Sequence, residues 1–158
     1  MARSRLKAKG RRDSGRFAQI PDNVLRSAEC HGVNGEAIRL LVALAAQYNG
    51  YNNGDLAAAI STMRHYGFTR PDTVFRSVHA LLNAGLIIRT REGIFSNMRP
   101  KPALYALAWK GIDECPGKGL TVNATSAPPR TFRPADLAES RTRKSEQCRS
   151  EKRNSRSK

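Results

Sequence analysis

Acidic side chains are scarce in this chain: 13 Asp and Glu stand against 28 Lys and Arg in 158 residues, a formal charge of +15 at pH 7. That imbalance disfavours cationic partners and suits a polyanion. Cysteine is scarce too. Cys30, Cys115 and Cys148 are odd in number and widely spaced, with no Cys-x-x-Cys pair. A disulfide framework is thereby excluded, and a reducing cytoplasm fits. Cys30 beside His31 lacks the second ligand pair that a zinc site needs, so no metal is expected. No apolar run approaches the roughly 20 residues of a membrane span, and Met1-Ala-Arg-Ser-Arg lacks the apolar stretch of a secretory signal. Also missing are a phosphate-cradling glycine loop, a metal-ligand pair and any Ser/His/Asp or Cys/His constellation. The expectation is a protein that is not an enzyme and uses no cofactor.

The positive charge is unevenly spread. Residues 1–16 hold seven Lys/Arg against one acid, and residues 130–158 hold ten against four. Both ends are nearly free of large apolar residues, so burial cannot offset the entropy of ordering them. Disordered basic tails are expected at 1–16 and 133–158, with nucleic acid as their polyanion. A solvated tail that only aids solubility, or an acidic membrane surface, are the alternatives.

Order is expected from Phe17-Ala-Gln-Ile-Pro21, with Phe17 and Ile20 as apolar anchors. A helix is predicted from Pro21 to about Cys30, with Val24, Leu25 and Ala28 on one side, ending near Gly32. Asn34-Gly35 opens a second helix reaching Gln47 or Tyr48. Its apolar residues Ile38, Leu41, Val42, Leu44, Ala45 and Tyr48 cover more than one stripe, which marks a central, mostly buried helix. The asparagine- and glycine-rich stretch Asn49–Gly54 reads as a turn. An alanine-rich helix is predicted over Gly54–Arg64, then a turn over His65–Pro71. The next helix, Pro71–Ala84, stops at Gly85. Leu86–Arg91 is β-branched and reads as a strand, residues 92–102 as a loop, and Ala103–Trp109 as a second strand with Tyr105, Leu107 and Trp109 facing one way. The two strands should pair as a hairpin. Residues 111–132 carry spaced apolar side chains (Ile112, Leu120, Val122, Phe132) and no assignable element. The expected class is mainly α with a small β-hairpin (α+β): a winged helix-turn-helix over 17–110, with an extension at 111–132.

On a helix over 71–84, Val74, Phe75, Val78, Leu81 and Leu82 fall within an arc of about 120°, the expected buried stripe; Phe75, at its edge, is read as core, with base-stacking the lesser alternative. The other side presents Asp72, Thr73, Arg76, His79, Ala80 and Asn83. A helix that reads the major groove needs this division. Arg76 is the foremost candidate, since its planar fork matches guanine O6 and N7. Thr73 suits a thymine methyl or a phosphate, and Arg70 at the helix start suits a phosphate. His79 fits either role, and Asp72 and Asn83 complete the face. Arg89 and Arg91 on the first strand, with Arg99 and Lys101 on the loop, would meet flanking phosphates or the minor groove. Against this stand two plainer readings: any amphipathic helix has a polar face, and a charged edge discourages strand pairing.

The chain from Phe17 to Trp109 resembles the amino-terminal domain of the bacteriophage replication protein O family and related phage replisome organisers. The residues that carry the likeness are Phe17-Ala-Gln-Ile-Pro21, Gly35-Glu-Ala-Ile-Arg-Leu-Leu-Val-Ala-Leu44 and Tyr48-Asn-Gly-Tyr-Asn-Asn-Gly54. Thr73-Val74-Phe75-Arg76, closing on Leu81-Leu82-Asn-Ala-Gly85-Leu-Ile87, is similar to a Thr-Val-x-Arg…Leu…Gly-Leu-Ile pattern common in winged helices. The resemblance implies origin binding and recruitment of a replication helicase or its loader.

The function expected is sequence-dependent binding of double-stranded DNA by a cytoplasmic protein of bacterial, prophage or plasmid origin, in replication initiation or transcription regulation. A homodimer through the Pro21–Cys30 helix is a further partner option. Two alternatives stand beside it. One is an RNA-binding or ribosome-associated basic protein, although aromatics interleaved with basic residues and a Gly-x-x-Gly clamp are missing. The other is a protein-interaction adaptor on the same fold.

Overall fold

The centre of the molecule is the helix with the densest apolar sequence. In the computed structural model, which describes residues 17–94 and 101–135, it is the third of five α-helices among the described residues: α1 (Asp22–Leu25), α2 (Ala28–His31), α3 (Gly35–Gln47), α4 (Ile60–Met63) and α5 (Pro71–Ala84). Three strands, β1 (Leu56–Ala57), β2 (Ile87–Arg91) and β3 (Leu104–Leu107), form one antiparallel sheet in the order β1-β3-β2. The fold is therefore α+β. Of the expected basic tails, residues 1–16 and 136–158 lie outside the described residues.

Asn34 starts α3 by accepting a hydrogen bond from the Ala37 amide at 2.8 Å, one of the orphan donors of a first turn. Leu40, Leu41 and Leu44 are then fully buried, and the helix packs chiefly against α5. Val42, expected inside, is exposed at 42%. Phe17, expected as an anchor, is exposed at 83% because the described chain begins there with no described element packed over it, while Ile20 is partly buried against the core.

Two expected helices differ. The Pro21–Cys30 segment is two short helices instead of one, and Leu25 and Ala28 are exposed while Val24 is buried. The break is at Ser27, whose hydroxyl donates to the Val24 carbonyl at 2.7 Å and accepts from the Cys30 amide at 3.2 Å. A serine that satisfies the backbone in this way ends one helix and caps the next. Ser27 also bridges Pro134, and the Ala135 amide reaches the Arg26 carbonyl at 2.8 Å.

The alanine-rich segment Gly54–Arg64 is likewise not one helix. Leu56 and Ala57 form β1, paired with Tyr105 and Leu104, before the single turn of α4 and a 3-10 turn over Arg64–Tyr66. The free side of β1 is matched by an amide side chain: Gln47 Oε1 accepts from the Ala57 amide and Gln47 Nε2 donates to the Ala57 carbonyl, both at 3.1 Å. Helix propensity differs among residues by only tenths of a kcal/mol, roughly, so non-local pairing overrides it.

β3 is buried along its whole length, and burial continues through Trp109, because both its faces are covered. The alternation expected for Tyr105, Leu107 and Trp109 therefore does not separate an inside from an outside. The extension after Lys110 packs back onto the domain: Ile112 and Phe132 are buried, and the Phe132 ring meets Trp109 edge-on with centroids 6.4 Å apart. No helix among the described residues is long and apolar enough to cross a membrane.

Candidate nucleic-acid interface

α5 begins where expected. Pro71 occupies its first turn, where the missing amide proton costs nothing, and Asp72 places a carboxylate near the positive end. Gly85 ends it in the left-handed conformation at φ 69°, a geometry that L side chains resist. Val74, Ser77, Val78 and Leu81 are buried against the body. The helix is thereby held by one side.

Its other side is open. Arg70, Asp72, Arg76, His79 and Asn83 are exposed, and Thr73 is half-buried. Asp72, Arg76, His79 and Asn83 recur at helical spacing along one line. Arg70 and Arg76 make no hydrogen bond or ion pair among the described residues, so both guanidinium groups are available to an outside acceptor. Buried Ser77 and exposed Arg76 stand side by side in sequence, which shows how sharply the face turns.

Phe75 corrects the expected apolar stripe. It is not core: 65% of it is exposed, and its ring leans on His79, one turn later, with centroids 4.4 Å apart and planes tilted by 57°. The core is completed without it by Phe68, which the sequence places in the preceding turn and which is 1% exposed beneath the Arg39 guanidinium.

Only Gly85 and Leu86 separate α5 from β2, and β2 pairs with β3 as the expected hairpin. The ladder slips between Arg89 and Arg91, a bulge that bends the strand. Beyond it Ile94 and Lys101 exchange two backbone hydrogen bonds of 2.9 Å, which carry the pairing outward. Lys101 is exposed; Arg99 lies outside the described residues.

The two strand arginines are half-exposed and tied down by their own protein. Arg89 Nη1 donates to both carboxylate oxygens of Glu92, at 2.9 and 3.1 Å, and this bond raises its already high pKa. Arg91 Nη2 donates to the Pro102 carbonyl at 2.8 Å, and its Nη1 to the Lys118 carbonyl. Their Nε atoms are buried without a hydrogen-bond partner among the described residues. The expected set of four free cations therefore reduces, within the described residues, to Lys101 fully open and Arg89 and Arg91 partly committed.

Helix and hairpin meet in a groove of about 260 Å³ lined by Phe75, Val78 and His79 of α5, Ala58 and Ile60 at the start of α4, and Arg89 and Tyr105 of the sheet. Burial pushes the Tyr105 hydroxyl above its usual pKa, with the neighbouring Arg89 charge acting the other way. Among the described residues no group of three or more His, Cys, Asp or Glu could hold a metal ion. No protein-family model, curated protein or solved structure matches this chain.

Proposed function

We propose that this chain is a winged helix-turn-helix protein that binds double-stranded DNA in a sequence-dependent way. In this reading α5 lies in the major groove and the β2–β3 hairpin is the wing that holds the flanking backbone. The observation that carries the reading is the open face of α5 around Arg76, anchored from behind by α3 and followed at once by an antiparallel hairpin. A groove-reading helix needs its apolar side held and its polar side near the start turned outward. The order α3-β1-α4-α5-β2-β3, with β3 between β1 and β2, supports the same reading.

Arg76 is assigned to guanine O6 and N7, Arg70 to a phosphate at the helix start, and Thr73, His79 and Asn83 to adjacent base edges or phosphates. Lys101, with Arg99, is assigned to the backbone beside the site. The strong positive charge of the whole chain adds affinity that carries no sequence information. The role that fits is that of a cytoplasmic bacterial, prophage or plasmid protein in replication initiation or simple repression.

Selection of bound duplexes from a random pool by the full-length protein tests this directly. The expected result is one enriched sequence, bound at least tenfold better than scrambled duplex and than structured RNA at the same salt. Equal binding of duplex DNA and structured RNA would move the chain to the RNA-binding alternative.

A further inference from the structure

We infer that Phe75 reads the C5-methyl group of a thymine, and so sets a specificity that hydrogen bonding alone does not supply. The inference rests on the proposed placing of α5 in the major groove. Phe75 is the large apolar side chain that α5 leaves exposed, with Asp72, Arg76 and His79 on one side of it and the groove it lines with Pro71 and Ile60 on the other. It is 65% exposed although an apolar groove opens directly beside it, so its ring is not spent on filling the protein's own interior.

The major groove offers donors and acceptors from every base pair but only one apolar group, the thymine methyl. An exposed phenyl ring on a groove-reading face therefore has a single complementary partner there. Two features suit the ring to the task. Its tilted contact with His79, at 4.4 Å between centroids, holds it in place before binding, which lowers the ordering cost. Phe75 lies one helical turn from His79 and Asp72, which share the polar line with Arg76, so its ring stands at the edge of the face that Arg76 presents and within a base-pair step of it along the axis. The expected readout is a thymine next to the guanine bound by Arg76.

The test removes one methyl group from the DNA. In the selected duplex each thymine in turn is replaced by deoxyuridine, and binding of the full-length protein is measured. At one position the wild type should lose about fourfold, the worth of one buried methyl group. Phe75→Ala should bind the unmodified duplex more weakly by a similar factor and no longer distinguish thymine from uracil there. Arg76→Ala should keep the distinction while binding more weakly. Phe75→Leu, still apolar, should keep part of it. No loss at any thymine overturns the inference, as does a Phe75→Ala protein that discriminates like the wild type. The DNA replacement is read with unaltered protein, so it stands whether or not a variant folds. Failure of the underlying reading looks different: no duplex sequence is enriched at all.

Discussion

Asn53 and Leu107, 54 residues apart, are joined by a reciprocal pair of hydrogen bonds: the Leu107 amide donates to Asn53 Oδ1 at 2.7 Å, and Asn53 Nδ2 donates to the Leu107 carbonyl at 3.1 Å. The same Nδ2 donates to the carbonyls of Lys110 and Gly111 at 3.2 and 2.7 Å, and the Asn53 amide donates to Asp113 Oδ2 at 2.7 Å. One fully buried side chain thus anchors the root of the hairpin and the first residues of the extension. It acts on β3 as Gln47 acts on β1, an amide standing in for a neighbouring strand.

Asn53→Ala leaves the buried Leu107 amide without its acceptor and the Lys110 and Gly111 carbonyls without their side-chain donor, while the Leu107 carbonyl keeps the Lys110 amide at 3.3 Å. Since each unsatisfied buried group costs about 1–3 kcal/mol, the variant should lose about 3 kcal/mol of stability. A urea titration reads this as a lower midpoint at unchanged slope. A loss below about 1 kcal/mol would mean that water replaces the side chain.

Gly85 and Arg130 are coupled. Arg130 donates to the Ala84 carbonyl at 3.1 Å, capping the end of α5, and a Cβ on Gly85 would stand 1.5 Å from Arg130 Nη1. Gly85→Ala should cost about 2 kcal/mol in the native chain, part of it the left-handed backbone and part the displaced guanidinium. In an Arg130→Ala background only the backbone part, about 1 kcal/mol, should remain. Equal costs in the two backgrounds would show that Arg130 moves aside freely.

The extension belongs to the folded unit. Phe132 is 4% exposed against Trp109. Phe132→Ala should cost about 3–5 kcal/mol, the usual range for emptying a buried phenylalanine site. Trp109 is the single tryptophan, so its fluorescence reports the change directly. Unchanged stability and emission would make the extension a passenger.

Arg76→Ala should weaken binding to the selected duplex by about 1–3 kcal/mol and binding to scrambled duplex by far less. An equal loss on both would reassign Arg76 to a phosphate. With Arg89 and Arg91 partly committed to their own protein, log affinity should fall against log salt with a slope of about −5, the shallow end of the −5 to −8 or so that the full set of cations and tails would produce. A slope near zero would remove the electrostatic half of the proposal.

Burial pushes the Cys30 thiol above its ordinary value. The neutral thiol is favoured in the folded state, so its contribution to stability is complete below the unfolded pKa and is lost as pH rises through the higher folded value. The unfolding midpoint should therefore fall above about pH 9, and Cys30→Ala should flatten that decline. Native Cys30 should also be alkylated far more slowly than the same thiol in urea. Equal rates in the two states would contradict its burial.

Much of the scaffold is legible in the sequence, because its signals are local. Asn34 as a cap, Pro71 at a first turn and Gly85 at a left-handed stop bound α3 and α5 almost to the residue. The β-branched run after Gly85, and the aromatic-bearing one ending at Trp109, marked the hairpin. On the candidate face Arg70, Asp72, Arg76, His79 and Asn83 are as open as their helical positions implied.

What the chain alone determined is what its nearest neighbours in sequence decide: the two long helices, their ends, and the polar line along α5. Tertiary structure decided the rest. Leu56 and Ala57 became a strand because β3 and Gln47 supply hydrogen bonds that a helix would have found within itself. Phe75 stands outside while Phe68 fills the core, and Arg91 is tied along the surface because the Pro102 and Lys118 carbonyls arrive beside it from later in the chain. Each of these outcomes depends on residues distant in sequence, and a periodicity of 3.6 or 2 holds no record of such partners.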